Sequence, residues 1–192
     1  GKSTHIKKLA RRLEDEGHTV RTLREPGGTE SGESIRHLLK HGPEELTAEA
    51  ELLLMNASRA QLVREVIRPA IAAGEIVLCD RFYDSTTVYQ GTGRGLDAAQ
   101  VQAVIDFAVG DTRPDLTLLL QIPLKTSEER RARRSETDRF EQADRTFFER
   151  IEAGYTALAA AEPDRIRVIE ADQPLDAVAA AIWRIVNDRL KK

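Results

Sequence analysis

The chain has 192 residues, 41% hydrophobic and 32% charged, with 29 basic against 32 acidic side chains and a net charge of −3. Such a composition supports one folded domain with a sizeable core, excludes a disordered chain, and supplies no whole-molecule field to steer nucleic acid. The single cysteine, Cys79, excludes an internal disulfide and any cysteine-built zinc site. No apolar run approaches the ~18 residues of a membrane span and no signal-peptide pattern opens the sequence, so a cytoplasmic protein is expected.

The first four residues, Gly1-Lys2-Ser3-Thr4, match the closing half of G-x-x-x-x-G-K-[ST]. In that pattern backbone N–H groups wrap phosphates, the lysine reaches the β/γ-phosphates and the hydroxyl holds Mg²⁺. Alone, four residues weigh about equally as a capped helix start. Ile6, Leu9, Ala10 and Leu13 recur at helical spacing over 2–16, with Gly17 placed as a helix-ending glycine. A short strand over 19–23 runs into the turn formers 25–29, and helices follow near 33–40 and from 48 to 67, the latter capped by Thr47. The apolar runs 75–79 and 115–121 read as buried parallel strands with helical segments between them. The Arg-rich stretch 130–139 has no apolar stripe and reads as a loop or helix edge. A helix over 141–161, a strand over 165–169 and a last helix opened by Pro174 complete the pattern, with Val178, Ile182, Ile185 and Val186 on one face. Strands separated by helices predict an α/β fold, a parallel sheet with helices on both faces.

Three segments carry candidate chemistry, and in an open α/β sheet ligands bind at the carboxyl ends of the strands. Arg24-Glu25-Pro26-Gly27-Gly28-Thr29 follows the first strand and reads either as a tight turn or as a ligand-facing loop. Asp80-Arg81-Phe82 follows the second, where arginine can clamp a phosphate beside an orienting aspartate, or the two form a structural ion pair. Downstream, Ser85, Thr86, Tyr89 and Gln90 can read a base edge or form a solvated helix surface. Arg130, Arg131, Arg133, Arg134 and Arg139 form an exposed helix face, a lid that brings guanidinium groups onto phosphates, or a nucleic-acid patch. The four histidines lack ligand-like spacing and are assigned no role.

In this order, R-E-P-G-G-T, D-R-F and Y-Q-G-x-G-R-G, with Arg59, the 113–118 strand entry and Asp138-Arg139-Phe140-Glu141, resemble the bacterial thymidylate kinase family over essentially the whole chain. The resemblance implies a single three-layer P-loop kinase domain over 1–192 with a lid at about 128–141. It implies transfer of the ATP γ-phosphate to dTMP with Mg²⁺ in a homodimer, with no nucleic acid or membrane partner. By that resemblance Gly1, Lys2, Ser3 and Thr4 bind ATP, and Ser3 helps hold the metal. Arg81 bridges acceptor and donor phosphates beside Asp80, and Arg130 and Arg134 act from the lid. The acceptor site takes Glu25, Arg36 on the dTMP phosphate, Arg59 on the thymine edge, Thr86 and Gln90 on the other edge, and Tyr89 beneath the deoxyribose. Met55 stands where the family commonly stacks an aromatic ring on thymine; a thioether packs there through its polarizable sulfur.

Two alternatives stand beside this expectation: a nucleotide-binding protein impaired in catalysis, and a P-loop kinase for another nucleoside monophosphate. The fold also calls for a first central strand, absent from this sequence, between the strands at 75–79 and 115–121, so the natural chain is expected to carry roughly a dozen more residues.

Overall fold

Two pairs of parallel strands form the frame of the protein, and the computed structural model describes residues 1–42, 46–132 and 144–191, excepting the side chains of 131 and 132. In chain order the first half runs α1 (Lys2–Asp15), β1 (Val20–Arg24), α2 (Glu30–His41), α3 (Ala48–Leu62), α4 (Arg68–Ala72) and β2 (Ile76–Asp80). The second half runs α5 (Tyr83–Thr86), α6 (Ala98–Val109), β3 (Thr117–Gln121), α7 (Leu124–Ala132), α8 (Arg145–Ala161), β4 (Ile166–Glu170) and α9 (Leu175–Leu190). Widened π-helical turns at Val63–Ile67 and Thr87–Gly93 continue α3 into α4 and extend α5.

β1 pairs with β2 from Val20↔Ile76 to Arg24↔Asp80, and β3 with β4 from Thr117↔Ile166 to Gln121↔Glu170. No ladder joins β2 to β3 among the described residues.

Alternation along the strands divides the core into two faces. Leu23, Val77 and Phe82 pack with Leu52, Leu62, Val63, Ile67, Ile105 and Val109 from the α3–α4 and α6 side. Val20, Ile76, Leu78 and Leu118 point the other way, onto Leu9 and Leu13 of α1 and Val178, Ile182 and Val186 of α9. Helices thus cover both faces, as the βαβ pattern requires. A cavity of about 350 Å³ opens between α1 and α9 beside Lys8, Arg12 and Trp183, and none of the expected site residues lines it.

The ends of the helices follow local chemistry. Gly17, at φ 90°, closes α1: its N–H reaches Glu14 O, and the His18 N–H reaches Leu13 O, the paired bonds of a Schellman ending. Thr47 accepts from the Ala50 N–H, as expected of the cap of α3. α2 begins earlier than its apolar spacing predicts, because Thr29 takes the Gly32 N–H and starts the helix at Glu30. Pro174 caps α9 from outside rather than serving as its first residue, with extended ψ of 143°. The first part of the Arg-rich stretch is helical, since α7 runs to Ala132; 133–143 lie outside the described residues.

One polar clamp ties the two strand pairs together. Arg165, just before β4, grips both oxygens of Asp84 at 2.8 and 2.7 Å, and Thr117 at the head of β3 donates to the same carboxylate at 2.8 Å. Glu162 takes two further guanidinium N–H groups. The Arg165 and Asp84 side chains are 13% and 8% exposed, so removing the acid leaves a largely buried cation with only Glu162 and Thr117 as partners. Asp84→Ala is therefore expected to lower stability by about 3 kcal/mol in urea unfolding at neutral pH.

Candidate active site

The turn after β1 is held by side chains of α2 and α3. Gly27 and Gly28 adopt φ of 126° and 85°, in the left-handed region that side-chain-bearing residues avoid. Their N–H groups are held by side chains: Gly27 by Ser58 Oγ at 3.1 Å and Gly28 by Glu33 Oε1 at 2.9 Å. Glu33 also receives Arg24 Nη2 at 3.0 Å, while Arg36 Nη1 donates to Pro26 O at 2.9 Å. The Gly28 N–H, with Arg24 beside it, holds the Glu33 carboxyl below the usual glutamate range.

Beneath this turn lies a buried ion pair. Glu25 Oε2 accepts from Arg59 Nε at 2.9 Å and Nη2 at 2.7 Å, and the two side chains are 3% and 2% exposed. Arg59 Nη1 donates to Asn56 at 2.8 Å and to Thr86 Oγ1 at 3.0 Å. Among the described residues these bonds use four of the five N–H donors of the guanidinium and leave one on Nη2. Burial pushes the Glu25 carboxyl up, and Arg59 draws it back toward its charged form. Glu25 Oε1 is buried with no hydrogen-bond partner among the described residues.

At the end of β2, Arg81 takes φ of 71°, a conformation that costs a non-glycine residue about 1 kcal/mol or more. Its guanidinium lies 4.9 Å over the Tyr89 ring and donates to Tyr89 Oη at 3.2 Å and Ser85 Oγ at 3.5 Å. Tyr155 of α8 donates to the same Ser85 at 3.2 Å. Burial works against the Arg81 charge, but the hydroxyls of Tyr89 and Tyr155 hold its pKa above the ordinary arginine value. Opposite, Ser3 Oγ approaches Asp80 Oδ2 at 3.5 Å, and Asp80 Oδ1 is buried without a partner among the described residues. Gly1 to Thr4 are exposed at the head of α1, a 14-residue helix whose positive end suits an anion.

A family model described as thymidylate kinase matches residues 1–182. The chain belongs to the thymidylate kinase family. It is 49% identical over 189 residues to a thymidylate kinase of Alcanivorax borkumensis, covering 98% of this chain and 91% of that protein. A thymidylate kinase of Deinococcus radiodurans is 45% identical over 189 residues, covering 98% and 92% respectively. One of Pseudomonas savastanoi pv. phaseolicola is 48% identical over 192 residues, covering 100% and 91%. Membership in the thymidylate kinase family makes this a P-loop kinase that phosphorylates dTMP to dTDP at the expense of ATP.

The structure links several of the expected residues in two groups. Ser3, Asp80, Arg81 and Tyr89 are linked by hydrogen bonds and stacking, as are Glu25, Arg59 and Thr86. Met55, half-buried, lies on α3 four residues from Arg59 and hence on its face. Arg130 points elsewhere: its Nη2 donates to Asp172 at 3.0 Å, beyond the end of β4. Arg134 lies outside the described residues.

Sequence reasoning missed Glu33, Ser58, Tyr155 and, above all, Glu51. The last is fully buried on α3 and accepts from Gln90 Nε2 at 2.7 Å and Arg94 Nη2 at 3.2 Å. Its signal was the spacing Glu51, Met55, Arg59, which puts an acid on the face that carries the site.

Glu33 gives the site an acid limit. Its folded pKa is lowered, so its hold on Gly28 is complete above the unfolded glutamate pKa and is lost as pH falls through the folded value. The Gly28 amide resonance is expected to titrate with a midpoint below that of an ordinary glutamate, and Glu33→Gln to abolish the titration, as an NMR pH series would show.

Proposed function

We propose that this chain transfers the γ-phosphate of ATP to dTMP with the G-K-S-T turn and the Asp80-Arg81 turn acting as one phosphate site. The observation that carries this reading is the approach of Ser3 Oγ to Asp80 Oδ2 at 3.5 Å, which sets the head of α1 against the residue preceding Arg81. Lys2, with Gly1 and Thr4, binds the phosphates of ATP. Arg81, anchored on Tyr89 and Ser85, spans the acceptor phosphate and the group in flight. Ser3 and Asp80 fit Mg²⁺, since both offer hard oxygen ligands and Asp80 keeps one buried oxygen unpartnered among the described residues. Mg²⁺ bound with ATP supplies neutralisation of the phosphate charge.

On the acceptor side Glu25 and Arg59 form the floor. The last Arg59 donor meets thymine O4, Thr86 and Gln90 meet the neighbouring edge, and Met55 packs against the ring. Tyr89 lies beneath the deoxyribose, where a 2′-hydroxyl is crowded, and Arg36 takes the dTMP phosphate. The attacking atom is a phosphate oxygen already ionised at neutral pH, so no general base is required. Catalysis rests on alignment and on positive charge placed where the transferring group spreads its own. Arg130 and Arg134 add charge from a lid at about 128–141, in which Arg130 also donates to Asp172. The whole chain acts as one domain.

A homodimer in the cytoplasm completes the reading. Phe107 on α6 is 84% exposed and Leu53 on α3 is 58% exposed, an apolar surface suited to helix packing between two copies. Among the described residues no helix is long and apolar enough to cross a membrane.

Arg81→Lys keeps the charge but loses the forked geometry. It is expected to cut kcat for dTMP by ~10²–10³ while leaving the melting temperature in place. In a coupled ADP-release assay dTMP should exceed dCMP, dGMP and dAMP as acceptor; equal turnover of the four would overturn the assignment of acceptor. Phe107→Asp should convert a dimer to a monomer in sedimentation equilibrium, and a wild-type monomer would remove the dimer from the reading.

A further inference from the structure

Two polar rungs join α3 to the helix that runs from α5 through the π-helical turn. One links Arg59 to Thr86, and the other links Glu51 to Gln90. They cross in opposite order along the two helices. Met55 lies between them on α3, one turn from each rung.

The second rung contains a chemical constraint. An ionised carboxylate only accepts hydrogen bonds, whereas an amide has a donating and an accepting end. Glu51 therefore admits only the NH₂ end of Gln90, found at 2.7 Å, and the assignment of the amide follows from the partner's chemistry. Gln90 is 1% exposed and Glu51 0%, so water does not compete for either group. Arg94 Nη2, at 3.2 Å from the other carboxylate oxygen, supplies the opposing charge. With one N–H of its NH₂ held by Glu51, the Gln90 amide turns its carbonyl oxygen away from the carboxylate, and among the described residues that oxygen is left for a ligand.

We propose that Glu51 is a positioning residue for base selection: it fixes the Gln90 amide so that an acceptor meets the N3 position of the base. This inference rests on the reading of Gln90 as a base-edge residue. Thymine offers N3–H to that acceptor, whereas cytosine offers a bare ring nitrogen whose lone pair faces the carbonyl. The first rung repeats the preference. Arg59 has a donor left, which suits thymine O4 and opposes the N4 amine of cytosine. Donor beside acceptor complements the edge of thymine and mismatches both positions of cytosine. A site whose polar groups are left unpaired by the wrong ligand rejects it far more strongly than one that merely lacks a contact.

Glu51→Gln tests this while keeping shape, because an amide partner lets the Gln90 side chain turn over. Dissociation constants for dTMP and dCMP are measured by titration calorimetry. The preference for dTMP is expected to fall at least ~10-fold, through weaker dTMP binding, with kcat at saturating dTMP changed less than ~3-fold. An unchanged preference, or an equal loss for both nucleotides, overturns the proposal.

The exchange Glu51→Gln with Gln90→Glu keeps one amide and one carboxylate in the rung and again leaves an acceptor for the base. It should restore the preference to within ~3-fold of the wild type, and failure to restore it in a folded protein overturns the proposal. If Glu51→Gln alone does not fold, this exchange decides. Gln90→Leu separates the two layers of inference. A dTMP affinity unchanged in Gln90→Leu defeats the base-edge reading and this proposal together. A weakened one, with Glu51→Gln leaving the preference intact, defeats this proposal alone.

Discussion

The Glu25–Arg59 pair is the constraint around which the rest of the site is arranged. Two opposite charges almost fully removed from water lose several kcal/mol each in solvation, and attraction in the interior offsets this only when the remaining donors and acceptors are matched. Arg59 meets part of that condition by giving Nη1 to Asn56 and Thr86, while one Nη2 donor and Glu25 Oε1 stay unmatched among the described residues. In doing so it fixes the distance between the turn after β1, the last turn of α3 and the short helix α5. A hydrophobic substitute could fill this volume. It could not also leave one oriented donor beside the pocket.

A second group of contacts holds Arg81, and here the cost is in the backbone. A left-handed arginine at the end of a strand persists because the side chain is over-determined: Tyr89 supplies ring and hydroxyl, and Ser85 is itself fixed by Tyr155 of α8. The widened turn over Thr87–Gly93, with the Arg94 N–H reaching back five residues to Tyr89 O, shifts the facing of Tyr89 and Gln90 relative to a regular helix. One irregular segment therefore serves both the phosphate contact and the base-edge contact.

The elements and the loops at the strand ends were largely legible from the amino-acid order. The unbroken apolar run Ile76–Cys79, the Gly27-Gly28 pair and the helical spacing of Val178, Ile182 and Val186 each depend on neighbours in sequence. What stayed hidden depends on distant partners. Glu51 reads as one more acid near a helix start, yet it is buried because Gln90 and Arg94, about 40 positions on, neutralise and saturate it. Arg81 could be placed at the crevice, but its positive φ could not be foreseen without Tyr89 and Ser85 around it. The direction of Arg130 was equally out of reach, since Asp172 lies 42 positions away.

The Asp84–Arg165 clamp also bears on how the protein is made. Its two members are separated by 81 positions, so during synthesis Asp84 leaves the ribosome well before its counter-ion exists. At ordinary translation speeds of ~5–20 residues per second the interval is roughly 4–16 s. Throughout it, β1 and β2 can pair and the α3–α6 side of the core can collapse, while the carboxylate that will be enclosed must stay hydrated. The last quarter of the chain thus delivers the charge that lets the two strand pairs close on each other. The β3–β4 ladder likewise waits for β4 to be made, a non-local pairing of the kind that slows folding.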